Sequence, residues 1–269
     1  MALQVFENMI KTAEKAKARI AIGLRKAGDR LISEINEGKK WADIVVVGEK
    51  IEGFESLEGD FSTLVNLVKD GKVEAIVKGN FQSDILLDEI QRLFNLEKVI
   101  RMALLKIANE KGEFYFYIGP DRITNEHSME DRMKLIEKGT AFIRSWGGTP
   151  KVGVISAGHL GHLGKDPLVD QSMAEAEMLT SFYRDRINIT NYYKKTSKAV
   201  KEGCNLIITP GSMITQFIGD VLVNLAGGDW LYEHVFMDEC IYVHSSSTKG
   251  GLLRSIIMAT ALVNKKKFG

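Results

Sequence analysis

The stretch KVGVISAGHLGHLGKDPLVD, Lys151 to Asp170, decides how the rest of the chain is interpreted. Val152 to Ile155 are apolar or small and predict a short buried strand. A loop rich in glycine and histidine starts at Ser156, and a helical pattern resumes after it. In open α/β sheets, ligands bind beyond the carboxyl ends of the strands, where loop backbone and helix amino-termini converge. This stretch therefore predicts a ligand-binding loop in an α/β protein.

The same order of elements recurs on both sides of this loop. Ala18 to Leu24, Asp43 to Val47 and Asn205 to Thr209 predict strands, with apolar residues at helical spacing between such strands. Arg101 to Ile107 and Glu113 to Ile118 predict a local antiparallel pair. About eight strands alternating with helices indicate an α/β fold with mainly parallel sheets. Helices in the second half of the chain are predicted over residues 128–146, 171–183, 191–201 and 213–226.

Composition and charge are ordinary for a globular chain. Of 269 residues, 45% are hydrophobic, and 36 lysines and arginines nearly balance 35 aspartates and glutamates. This balance gives no overall field that favours nucleic acid or an anionic membrane. No apolar run approaches the roughly 18 residues of a membrane span, and Cys204 and Cys240 have neither metal-ligand nor disulfide-framework spacing. We expect a cytoplasmic protein with no nucleic-acid or membrane partner.

Several polar loops share one topological position, because each follows a predicted strand and precedes a predicted helix. The loop HSSSTKGG, His244 to Gly251, offers hydroxyls, a lysine and a helix amino-terminus to a phosphate or carboxylate. Lys78, after another strand, could hold an anionic group. The alternatives are an ordinary polar loop and an exposed lysine at a strand end. The candidate ligand-binding residues are Lys78, Gly79, Asn80, Ser156, Gly158, His159, His162, Asp166, Asp170, Ser245, Ser246, Ser247 and Lys249.

His159 and His162 suggest a metal site, but no clear third ligand accompanies them, so no metal is predicted. A metal-dependent hydrolase that uses these histidines and Asp166 stays an alternative. Asp166 and Asp170 could orient the histidines, and Asp170 could instead cap the next helix. The chain has no G-x-G-x-x-G and no G-x-S-x-G motif, so no standard dinucleotide or S-adenosylmethionine loop is indicated. The cofactor therefore stays unknown.

Several segments, in chain order, resemble the phosphate acetyl- and butyryltransferases. In that family a strand ends in Lys-Gly and a Ser/Thr-Asp pair starts the next helix, and here Lys78-Gly79 and Ser83-Asp84 match. The Gly-rich loop from Gly158 to Asp170 is similar to the branch known as methyltransferase subunit X (MtxX), the fourth methanogenesis marker family. The matching segments are VEAIVKGNFQSDILL, TPKVGVISAG, NLIITPGSMITQFIGDVLVNLAGG and IYVHSSSTKGGLLRSIIMATALV.

The resemblance implies a fold and an assembly. It implies two α/β subdomains with mainly parallel sheets and an intervening cleft, the fold also of isocitrate and isopropylmalate dehydrogenases. We place the first subdomain at residues 1–146 with 245–269, and the second at 147–244. A small anionic metabolite or coenzyme would bind in the cleft. The family implies a homodimer, and the branch name implies a methyltransferase partner subunit.

The final loop departs from the resembled family. There, an arginine after a serine binds acyl phosphate, and an acidic residue follows a few positions on; here Ser245 and Gly250 stand at those places. Lys249 supplies a cation without the bidentate geometry of arginine. The fold is therefore expected to carry over better than the chemistry. The leading hypothesis is a methyltransferase on this scaffold, and the alternatives are an acyl-phosphate/coenzyme A acyltransferase and a non-catalytic ligand-binding or regulatory subunit.

Overall fold

A computed structural model describes residues 2–110, 112–121 and 128–269. Its contacts divide the chain into two compact units. We call Glu7–Val99 with Leu231–Gly269 the N-terminal unit, and residues 2–6 with Ile100–Trp230 the middle unit. Within the described residues, no helix is long and apolar enough to cross a membrane.

The sheet of the N-terminal unit is mainly parallel. Its strand order is β3-β2-β1-β4-β11-β10, and only the β10·β11 pair in it is antiparallel among the pairings described. The strands are β1 (Ala18–Leu24), β2 (Ala42–Gly48), β3 (Glu55–Leu57), β4 (Ala75–Val77), β10 (Asp229–Phe236) and β11 (Ile241–His244). The helices are α1 (Ala2–Ala13, of which residues 7–13 belong to this unit), α2 (Asp29–Gly38), α3 (Phe61–Lys69), α4 (Ser83–Phe94) and α9 (Gly251–Phe268).

Helix α9 is the central packing element of this unit. It contacts α2, β1, β4 and β11, and it buries Leu252, Ile256, Ala259 and Val263, which recur at helical spacing. A second core cluster joins the other helices, α3 and α4, to strand residues such as Ile76. Strands β1, β2 and β4 are buried at nearly every position, as expected of a parallel sheet with helices packed on it.

The middle unit has its own α/β arrangement. Its strands run in the order β5-β6-β9-β7-β8, with β5 and β6 antiparallel and the remaining pairs parallel. They are β5 (Ile100–Asn109), β6 (Gly112–Gly119), β7 (Val152–Val154), β8 (Ile189–Asn191) and β9 (Leu206–Ile208). The helices are α5 (Met129–Ser145), α6 (Pro167–Tyr183), α7 (Thr196–Lys201) and α8 (Ser212–Asp220), with a π-helical turn at Val221–Leu225.

The predicted α/β class with mainly parallel strands is confirmed, and so is the antiparallel pair β5·β6. Strands β3, β8 and β10 were not predicted. The helix predicted over 191–201 was wrong at its start, because β8 occupies Ile189–Asn191 and α7 begins only at Thr196. The two units differ in their bounds from the predicted subdomains, since β5, β6 and α5 are grouped with the strands that follow them. The predicted subdomain division stays a prediction.

A buried carboxylate holds the amino-terminus of α9. Glu34 of α2 is 8% exposed, and its two oxygens accept hydrogen bonds from the backbone N–H groups of Gly250, Leu252 and Leu253 at 2.9, 2.9 and 3.2 Å. These N–H groups have no partner within the helix, and the helix dipole favours a negative charge beside them. Glu34 thus caps α9 from another helix and fixes the loop that leads into it.

We expect Glu34→Ala to lower the free energy of unfolding by about 2 kcal/mol, because it leaves buried donors unsatisfied and removes the capping charge. Urea denaturation of the purified variant measures this change. Glu37→Ala, an exposed position on the same helix, is the matched control and should change stability by less than about 0.5 kcal/mol. Equal effects of the two substitutions would show that Glu34 does not cap α9.

Candidate functional site

Two of the predicted loops meet at the carboxyl ends of β4 and β11. These strands are parallel neighbours, with Val77 beside Val243, so the loops that follow them start side by side. The N–H of Lys78 donates to the carbonyl of Val243 at 3.1 Å, and the N–H of Gly79 donates to Ser245 Oγ at 3.2 Å. The structure therefore brings Lys78, Gly79 and Ser245 together, as the parallel arrangement predicts.

Gly79 is at a position that only glycine fits. Its φ is +63°, and a Cβ there would lie 2.0 Å from the carbonyl oxygen of Gly23. The same carbonyl accepts a hydrogen bond from the N–H of Asn80 at 3.0 Å. The close approach joins the end of β1 to the loop after β4, and any side chain at residue 79 would push the two apart.

Asn80 and Lys78 make contacts within the loops. The Asn80 side-chain oxygen accepts a hydrogen bond from the N–H of Arg25 at 2.7 Å, and its Nδ2 donates to the carbonyl of Arg25. Lys78 is half-buried, and its Nζ lies 3.5 Å from the carbonyl of Phe81. Asn80 therefore positions the site, whereas Lys78 places a cation at the carboxyl end of β4.

The loop from Ser245 to Gly250 is held by hydrogen bonds within the loop and to neighbouring residues. Ser245 is buried and bonds to Gly79. Ser246 Oγ lies 2.9 Å from the hydroxyl of Thr248 and accepts the N–H of that residue at 3.2 Å. Ser247 and Lys249 are exposed. The anion that the amino-terminus of α9 was predicted to attract is, in this structure, the carboxylate of Glu34.

A histidine and a glutamate beside these loops were not predicted as site residues. Glu233 on β10 and His244 on β11 are directly opposite each other in the antiparallel pair, and His244 Nδ1 lies 2.6 Å from Glu233 Oε2. The Ser83 hydroxyl, at the start of α4, lies 3.5 Å from the same nitrogen. Glu233 was not predicted because β10 was not predicted, although the run LYEHVF has the β-branched and aromatic residues typical of a strand. Ser83 is the first residue of α4, so the helix starts where the Ser83-Asp84 match placed it.

The Gly-rich loop belongs to the middle unit and is shaped by close contacts. Ser156 is buried, and its hydroxyl donates to the carbonyl of Gly158 at 3.1 Å. A Cβ at Gly158 would lie 2.4 Å from Val169. The rings of His159 and His162 lie with centroids 3.9 Å apart. Loss of hydration, and then the charge of His159, lower the pKa of His162.

The two aspartates of this loop bind backbone groups. Asp166 caps α6, accepting from the N–H groups of Leu168 and Val169 at 2.8 and 3.4 Å. Asp170 lies within the first turn, and both of its oxygens are 3.0 Å from the N–H of Gly164. The alternative that Asp170 caps the helix was wrong, because Asp166 does so and α6 begins at residue 167 rather than 171. Among the residues described, no three histidine, cysteine or acidic side chains are close enough to hold a metal ion.

The predicted site residues therefore fall into two groups, one in each unit. The N-terminal unit holds Lys78, Gly79, Asn80, Ser245, Ser246, Ser247 and Lys249, and the middle unit holds Ser156, Gly158, His159, His162, Asp166 and Asp170. Ligand binding by either group stays a prediction.

The chain is similar along most of its length to curated proteins of methanogenic archaea. The "Putative methyltransferase mtx subunit X" of Methanosarcina mazei is 29% identical over 266 residues, which cover 95% of this chain and 94% of that protein. The protein of the same name from Methanosarcina barkeri is 28% identical over 266 residues, 95% of this chain and 97% of its own length. No protein-family model matches the chain.

Solved structures of phosphotransacylases share the fold. A branched-chain phosphotransacylase from Enterococcus faecalis superposes with a TM-score of 0.73 at 14% identity, covering 91% of this chain and 99% of that one. A phosphotransacetylase from Streptococcus pyogenes gives 0.68 at 11% identity, with 96% and 98% covered. The resemblance predicted from the sequence is thus confirmed, and at these identities the structural likeness concerns the fold alone.

We expect Gly79→Ala to destabilise the protein far more than Gly71→Ala. Both glycines have a left-handed backbone, with φ of +63° and +68°, so both substitutions cost about 1 kcal/mol in backbone strain. Only at Gly79 does the new methyl group meet a carbonyl, whereas nothing lies within 4 Å at Gly71. Chemical denaturation should show at least about 2 kcal/mol between the two variants, and equal stabilities would contradict the close approach to Gly23.

Proposed function

We propose that this protein is a methyltransferase, or the substrate-binding subunit of one, built on the phosphate acetyl/butyryltransferase scaffold. The observation that carries the proposal is similarity over 95% of the chain to a curated relative named as a methyltransferase subunit. A small anionic metabolite or coenzyme is the proposed ligand. Proximity and electrostatic stabilisation then supply most of the catalysis, as in other group transfers.

The geometry of the N-terminal unit supports a site at the carboxyl ends of β4 and β11. Lys78 and the exposed Lys249 are cations in the two loops that meet there, and Ser247 adds an exposed hydroxyl. Gly79, Asn80, Ser245 and Ser246 shape these loops through the hydrogen bonds described above. We propose that Lys78, Lys249 and Ser247 contact the ligand. The other four residues hold these three in place.

The Gly-rich loop is the second proposed contact region. Its backbone is held by Asp166 and Asp170, while His159 and His162 are half-buried, so the two imidazoles are the groups that can reach a ligand. The loop and the start of α6 also expose three leucines, Leu160, Leu163 and Leu168. Exposed apolar side chains grouped in this way mark surfaces that bind other proteins, which supports the proposal of a methyltransferase partner subunit.

Two observations weigh against acyl-phosphate exchange, the first alternative. Ser245 stands where the phosphate acetyl- and butyryltransferases have an arginine. It is buried and accepts a hydrogen bond from the N–H of Gly79. Glu34 places a carboxylate at the amino-terminus of α9, where it would repel a phosphate dianion. The other alternative, a non-catalytic subunit, is favoured by the same loss of arginine and acid and by the word "subunit" in the names of the relatives.

The assembly and location are also proposals. We propose a homodimer in the cytoplasm. Cys204 and Cys240 are both free and buried, and burial raises the pKa of the Cys240 thiol to about 12. Thiols kept reduced and unreactive in this way are typical of proteins in a reducing compartment.

Ligand screening tests the proposed function. We expect coenzyme M, a methylated pterin or methylcobalamin to bind, and at 100 times its dissociation constant such a ligand raises the free energy of unfolding by about 2.7 kcal/mol. Thermal shift and titration calorimetry measure the effect, with coenzyme A, acetyl phosphate and S-adenosylmethionine as comparison ligands.

Lys78→Ala and Lys249→Ala should each weaken binding of that ligand by about tenfold or more, because each removes a hydrogen bond to a charged group. Lys11→Ala, at an exposed position on α1, is the matched control and should leave the affinity unchanged. Binding of none of the methyl carriers or acceptors, or binding that survives both substitutions, would contradict the proposal.

A further inference from the structure

An apolar groove in the middle unit has no part in the proposed transfer. It lies between the hairpin of β5 and β6 and the helices α7 and α8, and its volume is about 560 Å³. None of the described residues that line it belongs to either proposed contact group. Pockets that bind small molecules have volumes of roughly 300–1,000 Å³, so the groove has the size of a ligand site.

The groove reaches the hydrophobic core of the middle unit. Phe116 on β6 and Val200 on α7 line it, and both are buried members of the core cluster of this unit. Phe217 and Val221 line it from the other side and are 63% and 51% exposed. Protein cores are normally packed with few voids larger than a water molecule. An apolar space of this size that extends from the surface to the core therefore indicates a place for an apolar ligand.

The wall of the groove on the side of α8 is irregular. After Asp220 the chain continues as the π-helical turn Val221–Leu225, and Val221 and Leu222 of that turn line the groove. π-helical turns are rare and are frequently found at functional sites. The irregular turn and the groove coincide, and together they favour a binding site at this place.

The polar groups of the lining are few, and most of them come from one helix. Thr196, Ser197 and Lys201 are on α7, and Asn109 is at the end of β5. Lys201 is exposed and is the one charged residue among the described residues of the lining. Ligand pockets combine an apolar lining with a few polar groups that fix the orientation of the ligand. A single cation beside an apolar groove therefore complements a negative charge at the end of an apolar molecule.

We propose that this groove binds a small amphipathic anion, an aliphatic chain that ends in a carboxylate or a phosphate. The chain lies between α7 and α8 against Phe116 and Val200, and the anionic end faces Lys201. The site is separate from the proposed contacts of the Gly-rich loop. That loop follows the end of β7, whereas the groove is lined by the first half of β6, and both strands run parallel to β9. The two sites therefore lie toward opposite edges of the sheet.

The volume of the groove favours a small molecule over a helix of another protein. An α-helix with its side chains is roughly 10 Å across. A space of about 560 Å³ therefore holds only about 7 Å of helix, little more than one turn of about 5.4 Å. An aliphatic chain is much thinner than a helix and can extend to the floor of the groove at Phe116.

The test uses decanoate as the probe and measures its binding to the intact protein by titration calorimetry. We expect one molecule of decanoate to bind to each chain. Octanoate has two CH₂ groups fewer and should bind about tenfold more weakly, because each buried CH₂ strengthens binding by roughly fourfold. Decyl phosphate and decanol have the same chain with other ends. At least one of the two anions should bind about fivefold more tightly than decanol, the effect of one partly exposed ion pair.

Two substitutions test the apolar part and the charged part of the site separately. Val221→Trp places a large side chain in the groove and should abolish binding of decanoate and of decanol. Leu225→Trp, in the same π-helical turn and 81% exposed, is its matched control because Leu225 does not line the groove. Lys201→Ala should weaken binding of the anion by about fivefold and leave the affinity for decanol unchanged. Lys198→Ala, an exposed lysine on the same helix that does not line the groove, is the control for the charge.

The proposal is overturned if neither anion binds to the wild type, if decanol binds as tightly as both anions, or if binding survives Val221→Trp. Sedimentation tests a second copy of this chain as the occupant. A wild-type dimer that Val221→Trp dissociates, together with no binding of decanoate, would make the groove an interface between copies and would overturn the proposal. Melting curves show whether each variant is folded, and Ser197→Trp, on the side of α7, provides the same test if Val221→Trp is not.

Failure of this proposal can be told apart from failure of the proposed function. Methyl carriers are titrated into the same variants, and their binding should be unchanged by Val221→Trp and Lys201→Ala, because neither residue is among the proposed contacts. Loss of decanoate binding alone therefore concerns only the groove.

Discussion

The hydrogen bonds from the amino-terminus of α9 to the carboxylate of Glu34 are the constraint on which the N-terminal unit depends. A helix that starts in a protein interior must find partners for its first N–H groups, and this helix packs against α2 and the four strands β1, β2, β4 and β11. Glu34 supplies those partners from α2 and fixes the end of the loop from Ser245 to Gly250. That loop then holds Gly79 through Ser245, so one carboxylate sets the shape of both loops.

The same constraint bears on function. A helix amino-terminus is a natural place for a phosphate, and here the charge at that place belongs to the chain. Lys78 and Lys249 place cations in the two loops that meet at the carboxyl ends of β4 and β11. The scaffold of the phosphotransacylases can therefore be retained while the group that is bound and transferred differs, because fold and chemistry reside in different residues.

Features that depend on local pattern and on parallel topology could be predicted from the sequence. The strands before Lys78 and Ser245 were apparent as apolar runs, and parallel neighbours bring their loops together, so the meeting of Gly79 with Ser245 follows. Glu34 was not predictable in this way, since its partners are 216 or more residues away in the chain. Glu233 opposite His244 required the register of an antiparallel strand that the pattern did not reveal. The split of the site residues between two units likewise depends on contacts that no single segment encodes.

The measurement that tests the central claim most directly is the formation of acetyl-coenzyme A from acetyl phosphate and coenzyme A, with a phosphotransacetylase assayed alongside. We expect this chain to keep the scaffold without acyl-phosphate chemistry, because Ser245 stands in place of the arginine and Glu34 lies at the helix end. We therefore expect no product above the uncatalysed rate. Turnover within the usual enzymatic range, about 1 per second or faster, would contradict it.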